Sequence, residues 1–130
     1  MPAKHFDEGK PRVDLIPYDA MMVVGEVFSV GAEKYGEHNW EKGMPWGKLL
    51  GSALRHLFKW SWGQDRDDET GLSHLAHAAS CVLMLLAYRC RNMVEFDNRF
   101  VHGADTQTPL PFPVKITSAF TDDSEGGTPD

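Results

Sequence analysis

Leu72, Leu75, Ala76, Ala79, Val82, Leu83 and Leu86 recur at a helical period, and from Val82 to Ala87 the chain is apolar nearly all round. A stretch of that kind has to be buried on most of its circumference. It therefore belongs inside a helical bundle or at a subunit interface, which is the strongest constraint on what this chain can become. The spacing predicts a helix from about Glu69 to Val94, and Arg89 and Arg91 near its end suit the macrodipole. With 130 residues, the chain reads as one domain with tails, able to bury roughly two thirds of its unfolded surface. The apolar run is too short and too interrupted for a membrane span, and no signal peptide is visible, so a cytoplasmic protein is expected.

Two further helices precede this one. From Asp19 to Tyr35, Ala20, Val23, Val24, Val27, Phe28, Val30 and Tyr35 follow a 3.6 period, with Asp19 as N-cap candidate and Gly36 as the closing glycine. Glu26 and Glu33, seven apart, lie on one face. A second helix is expected from about Lys48 to Trp62, closing at Gly63, with Leu50, Ala53, Leu54, Leu57 and Ser61 as its core stripe and His56 at the margin. Between the two, residues 36–47 form a loop holding Asn39, Trp40 and Trp46 between glycines. Such a loop suits either a ring-stacking pocket or plugs for the core. The predicted fold class is all-α: a small helical bundle spanning residues 1–97, with residues 98–130 as an extended arm and acidic tail. The first 17 residues, broken by Gly9, Pro11 and Pro17, read as an irregular arm. Beyond Asn98 the chain is Pro-rich, with Val114–Thr117 as a short strand or an arm and residues 122–130 as a disordered acidic tail.

Chemistry concentrates just ahead of the third helix. Asp65, Asp67, Asp68 and Glu69, then His74 and His77, stand within thirteen residues. Carboxylate oxygens suit magnesium and manganese, and imidazole suits manganese better than magnesium. If Glu69 opens the helix, Glu69, Ser73 and His77 form one stripe. The bland alternative is a helix start favoured electrostatically by acidic residues. Net charge of −6 argues against a nucleic-acid polymer as partner, because phosphate backbones call for a basic face. A free nucleotide escapes that objection, since bound cations neutralise both sides. Cys81 and Cys90 are nine apart on one expected helix, which separates them by roughly 13 Å and rules out a bridge. No phosphate-cradling glycine loop and no nucleophile elbow is present.

Four blocks carry a resemblance: Gly9-Lys10-Pro11-Arg12; Gly31-Ala32-Glu33-Lys34-Tyr35-Gly36 with Asn39-Trp40; Ala53-Leu54-Arg55-His56-Leu57; and Glu69-Thr70-Gly71-Leu72-Ser73-His74-Leu75-Ala76-His77-Ala78. Together they resemble a phage group of dATP/dGTP pyrophosphohydrolase-type proteins, itself similar to the all-α MazG-like pyrophosphatases, over about residues 4–91. The narrowest likeness is to a dGTP-directed member linked to 2-aminoadenine synthesis. The resemblance implies hydrolysis of a deoxynucleoside triphosphate, dGTP or dATP, to the monophosphate and pyrophosphate, with Mg2+ or Mn2+ as cofactor. In the wider family, Glu-x-x-Glu and Glu-x-x-Asp on successive helices bind the metal. Here His56 falls near the second glutamate and His74-x-x-His77 near Glu-x-x-Asp. Either the metal set is rebuilt from histidines and the acidic turn, or the helices align differently. Gln64 stands where an acid is expected.

On this reading Asp65, Asp68, Glu69 and His77 are the first metal candidates, with Glu33 and His56 completing or supporting them. Glu69, His77 and His56 form the expected catalytic set. Lys34, Arg55, Lys59 and Lys10 would meet phosphate, and Asn39 with Trp40 would hold base or sugar. Two rivals stand beside it. One is a phosphohydrolase of the HD type, against which the missing His-Asp dipeptide counts. The other is a non-enzymatic phage assembly module. A homo-oligomer, dimer or tetramer, is expected under either the enzyme or the module reading.

Overall fold

The structure is a computed structural model, and it describes residues 2–99. These fall into two units, residues 2–16 and residues 17–99. In the first, a single 3-10 turn, Val13–Leu15, is all that is regular. Arg12 donates to both oxygens of Asp14 at 2.9 and 2.7 Å, and Lys10 is exposed on the rim of an open hollow between Asp7 and Asp14. The expected irregular arm is what forms.

The second unit is all-α: α1 (Tyr18–Tyr35), α2 (Trp46–Ser61) and α3 (His74–Cys90), with α3 packed against both others and most extensively against α2. Among the described residues there is no strand, only an isolated antiparallel bridge between Arg66 and Ser73. No described helix is long and apolar enough to cross a membrane. α1 starts directly after Pro17, whose fixed φ suits a helix entry, and ends at Gly36, which takes φ +96°. Asp19 sits inside the first turn, where its carboxylate accepts the Ala20 N–H, two residues beyond the cap position, which Pro17 occupies.

α2 starts at Trp46, two residues earlier than expected, and its buried face is correspondingly different. Trp46, Leu49 and Ala53 go inward against Ala78, Cys81 and Tyr88, whereas Leu50, Leu54 and Leu57 of the expected stripe are exposed. His56 continues the 46–49–53 line by one more turn, which carries it to the buried edge.

α3 is shorter than its apolar pattern suggests. Glu69 is not helical: the residues before Ser73 form a closed turn, and the Ser73 hydroxyl caps the helix by accepting the Ala76 N–H at 3.2 Å. At the far end Asn92 takes φ +56° and Met93 N–H bonds back to Tyr88, so the helix stops at Cys90. Small and polar residues, Ala76, Ala78, Ser80 and Cys81, face inward, while Leu75, Val82, Leu83 and Leu86 stay exposed. A central helix touched from two sides needs small residues at the contacts for its neighbours to approach. Both cysteines are free thiols, Cys81 buried and Cys90 half-buried. The residues around Trp40 form a 3-10 turn, Asn39–Lys42. The expected arm and tail beyond residue 99 lie outside the described residues.

Candidate functional site

The acidic stretch before α3 is folded by Asp67. Its Oδ2 accepts the backbone N–H of Glu69 at 3.0 Å and of Thr70 at 2.9 Å, and the Thr70 hydroxyl at 3.2 Å. Aspartate tied to its own following backbone is a common turn builder, and Gly71 completes the reversal at φ +74°. Backbone bonds from Asp67 N–H to Leu72 and from His74 N–H to Asp65 close the turn. The consequence is a sorting of the four acids. Asp67 is drawn half inside; Asp65, Asp68 and Glu69 stay exposed.

The turn delivers His74 as the first residue of α3, fully buried at 0% exposure. His74 Nε2 lies 2.8 Å from Gln64 Oε1, and its Nδ1 lies 2.8 Å from His56 Nδ1 on α2. One turn further along α3, His77 Nε2 meets Thr70 Oγ1 at 2.7 Å. The His77 ring stacks on His56 with centroids 4.5 Å apart and planes 6° from parallel. Three imidazoles and one carboxylate thus meet where α2, α3 and the turn join. Donor atoms of His56, Asp67 and His74 all lie within 4.8 Å of one another, and this is the group among the described residues arranged to take a cation.

Burial holds the His56 and His77 imidazoles below the ordinary histidine value. Neighbouring positive charge adds to this, from His77, His74 and Lys59 at His56 and from His74 at His77, while Asp67 opposes it at both. For Asp67, burial pushes the carboxyl upward. The hydrogen bonds from Thr70 and from the Glu69 amide outweigh it and leave Asp67 below the usual carboxylate range. Neutral imidazoles beside an ionised carboxylate are the protonation states that bind a cation.

The predicted site residues are distributed unevenly around this centre. His56 and His77 are in it. Asp68 accepts from Gln64 Nε2 at 3.1 Å, one step behind His74, and Asp65 contributes its backbone carbonyl. Glu69 points outward and pairs with Lys34 across 3.5 Å, both side chains largely exposed. The stripe Glu69–Ser73–His77 therefore does not exist, because a turn that bonds its amides to Asp67 cannot also be helix. Glu33 is exposed at the end of α1. Lys59 is exposed and close enough for its charge to be felt at His56, whereas the Arg55 guanidinium folds back over Gly51. Trp40 is a packing residue in this form: its ring lies between Phe28 and Tyr88, 6.1 and 5.9 Å away, under Arg91. Its carbonyl takes the Tyr88 hydroxyl at 2.5 Å. Asn39 is half-buried in the same 3-10 turn.

Asp67, His74, Gln64 and Thr70 are additions to the predicted set. A usable signal was present, since Asp-x-x-Thr-Gly is a turn pattern that brings its first carboxylate inward. Gln64 carried no such signal, because nothing local shows that its amide reaches the buried edge of α3.

A family model described as dATP/dGTP diphosphohydrolase, N-terminal, matches residues 1–99. The chain belongs to this dATP/dGTP diphosphohydrolase N-terminal family. A dATP/dGTP diphosphohydrolase of Salmonella phage PMBT28 is 39% identical over 94 residues, a stretch covering 72% of this chain and 32% of that protein. The chain thus spans about a third of the length of this curated relative. No solved structure matches it.

Proposed function

We propose that this chain is a metal-dependent nucleoside triphosphate pyrophosphohydrolase that converts a purine deoxynucleotide, dGTP or dATP, to its monophosphate and pyrophosphate. The observation that carries the reading is the convergence of His56, Asp67 and His74 beside exposed lysines, in a chain of this family. It favours the alternative in which a MazG-like metal set is rebuilt from histidines and the acidic turn.

The donor set fits a divalent ion. Two imidazole nitrogens and a carboxylate suit manganese better than magnesium, which prefers oxygen throughout. His56, Asp67 and His74 would hold it, with His77 and the outlying acids Asp68 and Glu69 around them. The ion would supply positive charge to the phosphate oxygens and lower the pKa of a water. Lys34 and Lys59 add fixed positive charge where negative charge develops on the leaving pyrophosphate. For Lys34 this means exchanging Glu69 for phosphate, and an exposed pair at 3.5 Å gives that exchange a small barrier. His77, neutral by burial, is suited to accept a proton from water.

The same reading includes a homo-oligomer. Leu50, Leu54, Leu57, Val82, Leu83 and Leu86 are each 38–53% exposed, and a run of large apolar side chains of that extent marks an interaction surface. The test of the activity is product analysis with each dNTP and Mn2+ or Mg2+. Monophosphate plus pyrophosphate is expected, fastest with a purine. Nucleoside plus triphosphate would replace this reading with that of an HD-type phosphohydrolase, and no turnover would leave a helical assembly module.

A further inference from the structure

The buried histidines stand at the ends of two short relays, and the polarity of each hydrogen bond can be worked out from its carboxylate end. Asp68 Oδ1 can only accept, so the Gln64 atom 3.1 Å from it is the amide nitrogen. That orients the other amide atom, Oε1, toward His74 Nε2 at 2.8 Å. An amide oxygen has no proton to give, so His74 carries its hydrogen on Nε2, and in the uncharged ring Nδ1 is left as the acceptor. His56 Nδ1, 2.8 Å away, must then be the donor to it.

The second relay has the same logic. Thr70 has one hydroxyl proton, and Asp67 Oδ2 receives it. The oxygen then only accepts: it takes the Leu72 N–H at 3.2 Å and faces His77 Nε2 at 2.7 Å. His77 therefore also carries its hydrogen on Nε2, with Nδ1 bare.

We propose that Gln64 and Thr70 are positioning residues that lock His74 and His77 in the Nε2–H tautomer, which leaves the His77 Nδ1 lone pair open and makes the His74 Nδ1 lone pair, shared with the His56 N–H in the metal-free protein, the one that a cation would take by displacing that bond. Their value to catalysis rests on the metal reading above; the tautomers themselves do not. A ligating histidine whose far nitrogen is held by an outer partner binds metal more tightly, and loss of that partner typically costs 10–100-fold. Gln64, placed where an acid is expected, does this without adding charge beside Asp68.

The deciding measurement is two-bond proton–nitrogen NMR of the histidine rings in the metal-free full chain. Nε2–H on both His74 and His77 is expected in the unaltered protein, and Nδ1–H on either overturns the proposal without need of a variant. Gln64→Leu should release only His74 from its single tautomer, and Thr70→Val only His77, while Gln64→Glu, which keeps an acceptor, should retain it. Titration with Mn2+ alone should show about 10–100-fold weaker binding for Gln64→Leu and recovery in Gln64→Glu. Unchanged rings or unchanged Mn2+ affinity in Gln64→Leu would refute the role. If the unaltered protein binds no Mn2+, the metal reading fails and the ring spectra alone decide the relays.

Discussion

Of the four acids in the turn, Asp67 faces inward because its side chain closes the turn, and Glu69 faces outward because the turn leaves it no inner partner. Substitutions at the two should therefore separate. Asp67→Asn keeps an acceptor for the turn amides but removes the charge, so the protein is expected to stay folded with Mn2+ affinity lowered at least tenfold. Glu69→Gln disturbs only an exposed ion pair, and its melting curve should move by less than about 0.5 kcal/mol of stability, with Mn2+ affinity close to unchanged. Calorimetric titration and thermal melts of the two variants check this; equal losses of affinity would put Glu69 among the ligands. The count of carboxylates before α3 was legible in the sequence. Which one turns inward was not, since adjacent acids are chemically alike and differ only in the backbone that each happens to hold.

The three helical segments were legible as elements, because apolar periodicity, Pro17, Gly36 and Gly63 act locally. Their faces were not. Leu50, Leu54 and Leu57 make as good a stripe as Trp46, Leu49 and Ala53, and only contact with α3 selects the second. The start of α3 illustrates the same limit. Acidic residues favour a helix start, yet the cap is Ser73, and the chain before it is occupied by the Asp67 turn. Because that cap ties His74 to the first turn of the helix, Ser73→Ala should cost about 1 kcal/mol. It should also loosen the His74 position, visible as faster amide exchange at residues 74–76. A loss confined to stability, with no change in exchange there, would mean that the turn holds His74 without the cap.

For the whole molecule, two properties follow from burial and from exposure. His56 and His77 have folded values below the ordinary histidine value near 6.5. The unfolded chain then takes up protons first, so the stability of the metal-free protein is full above about pH 6.5 and falls as pH drops below it. Asp67 is shifted the same way from a lower starting value, 3.8, so its contribution persists until pH falls below that range. Urea midpoints between about pH 8 and pH 4 should show the earlier decline, and His77→Gln should reduce it. The second property is the exposed apolar surface of α2 and α3. Sedimentation should find a dimer or larger species, and Leu86→Glu, at 47% exposure, should shift it toward monomer with the helices intact. A monomer in the unaltered protein would remove the interface. By itself the sequence determined that the described chain is helical, where its three helices roughly run, and that histidines and acids gather before the last one, because periodicity and turn chemistry are properties of neighbouring residues. Only the tertiary structure decided that His56, eighteen positions before His74, shares its hydrogen bond, and that Asp67 lies with the two histidines while Glu69 pairs with Lys34. Those outcomes depend on how far each helix is rotated about its axis, and that rotation is set by packing between residues distant in the chain.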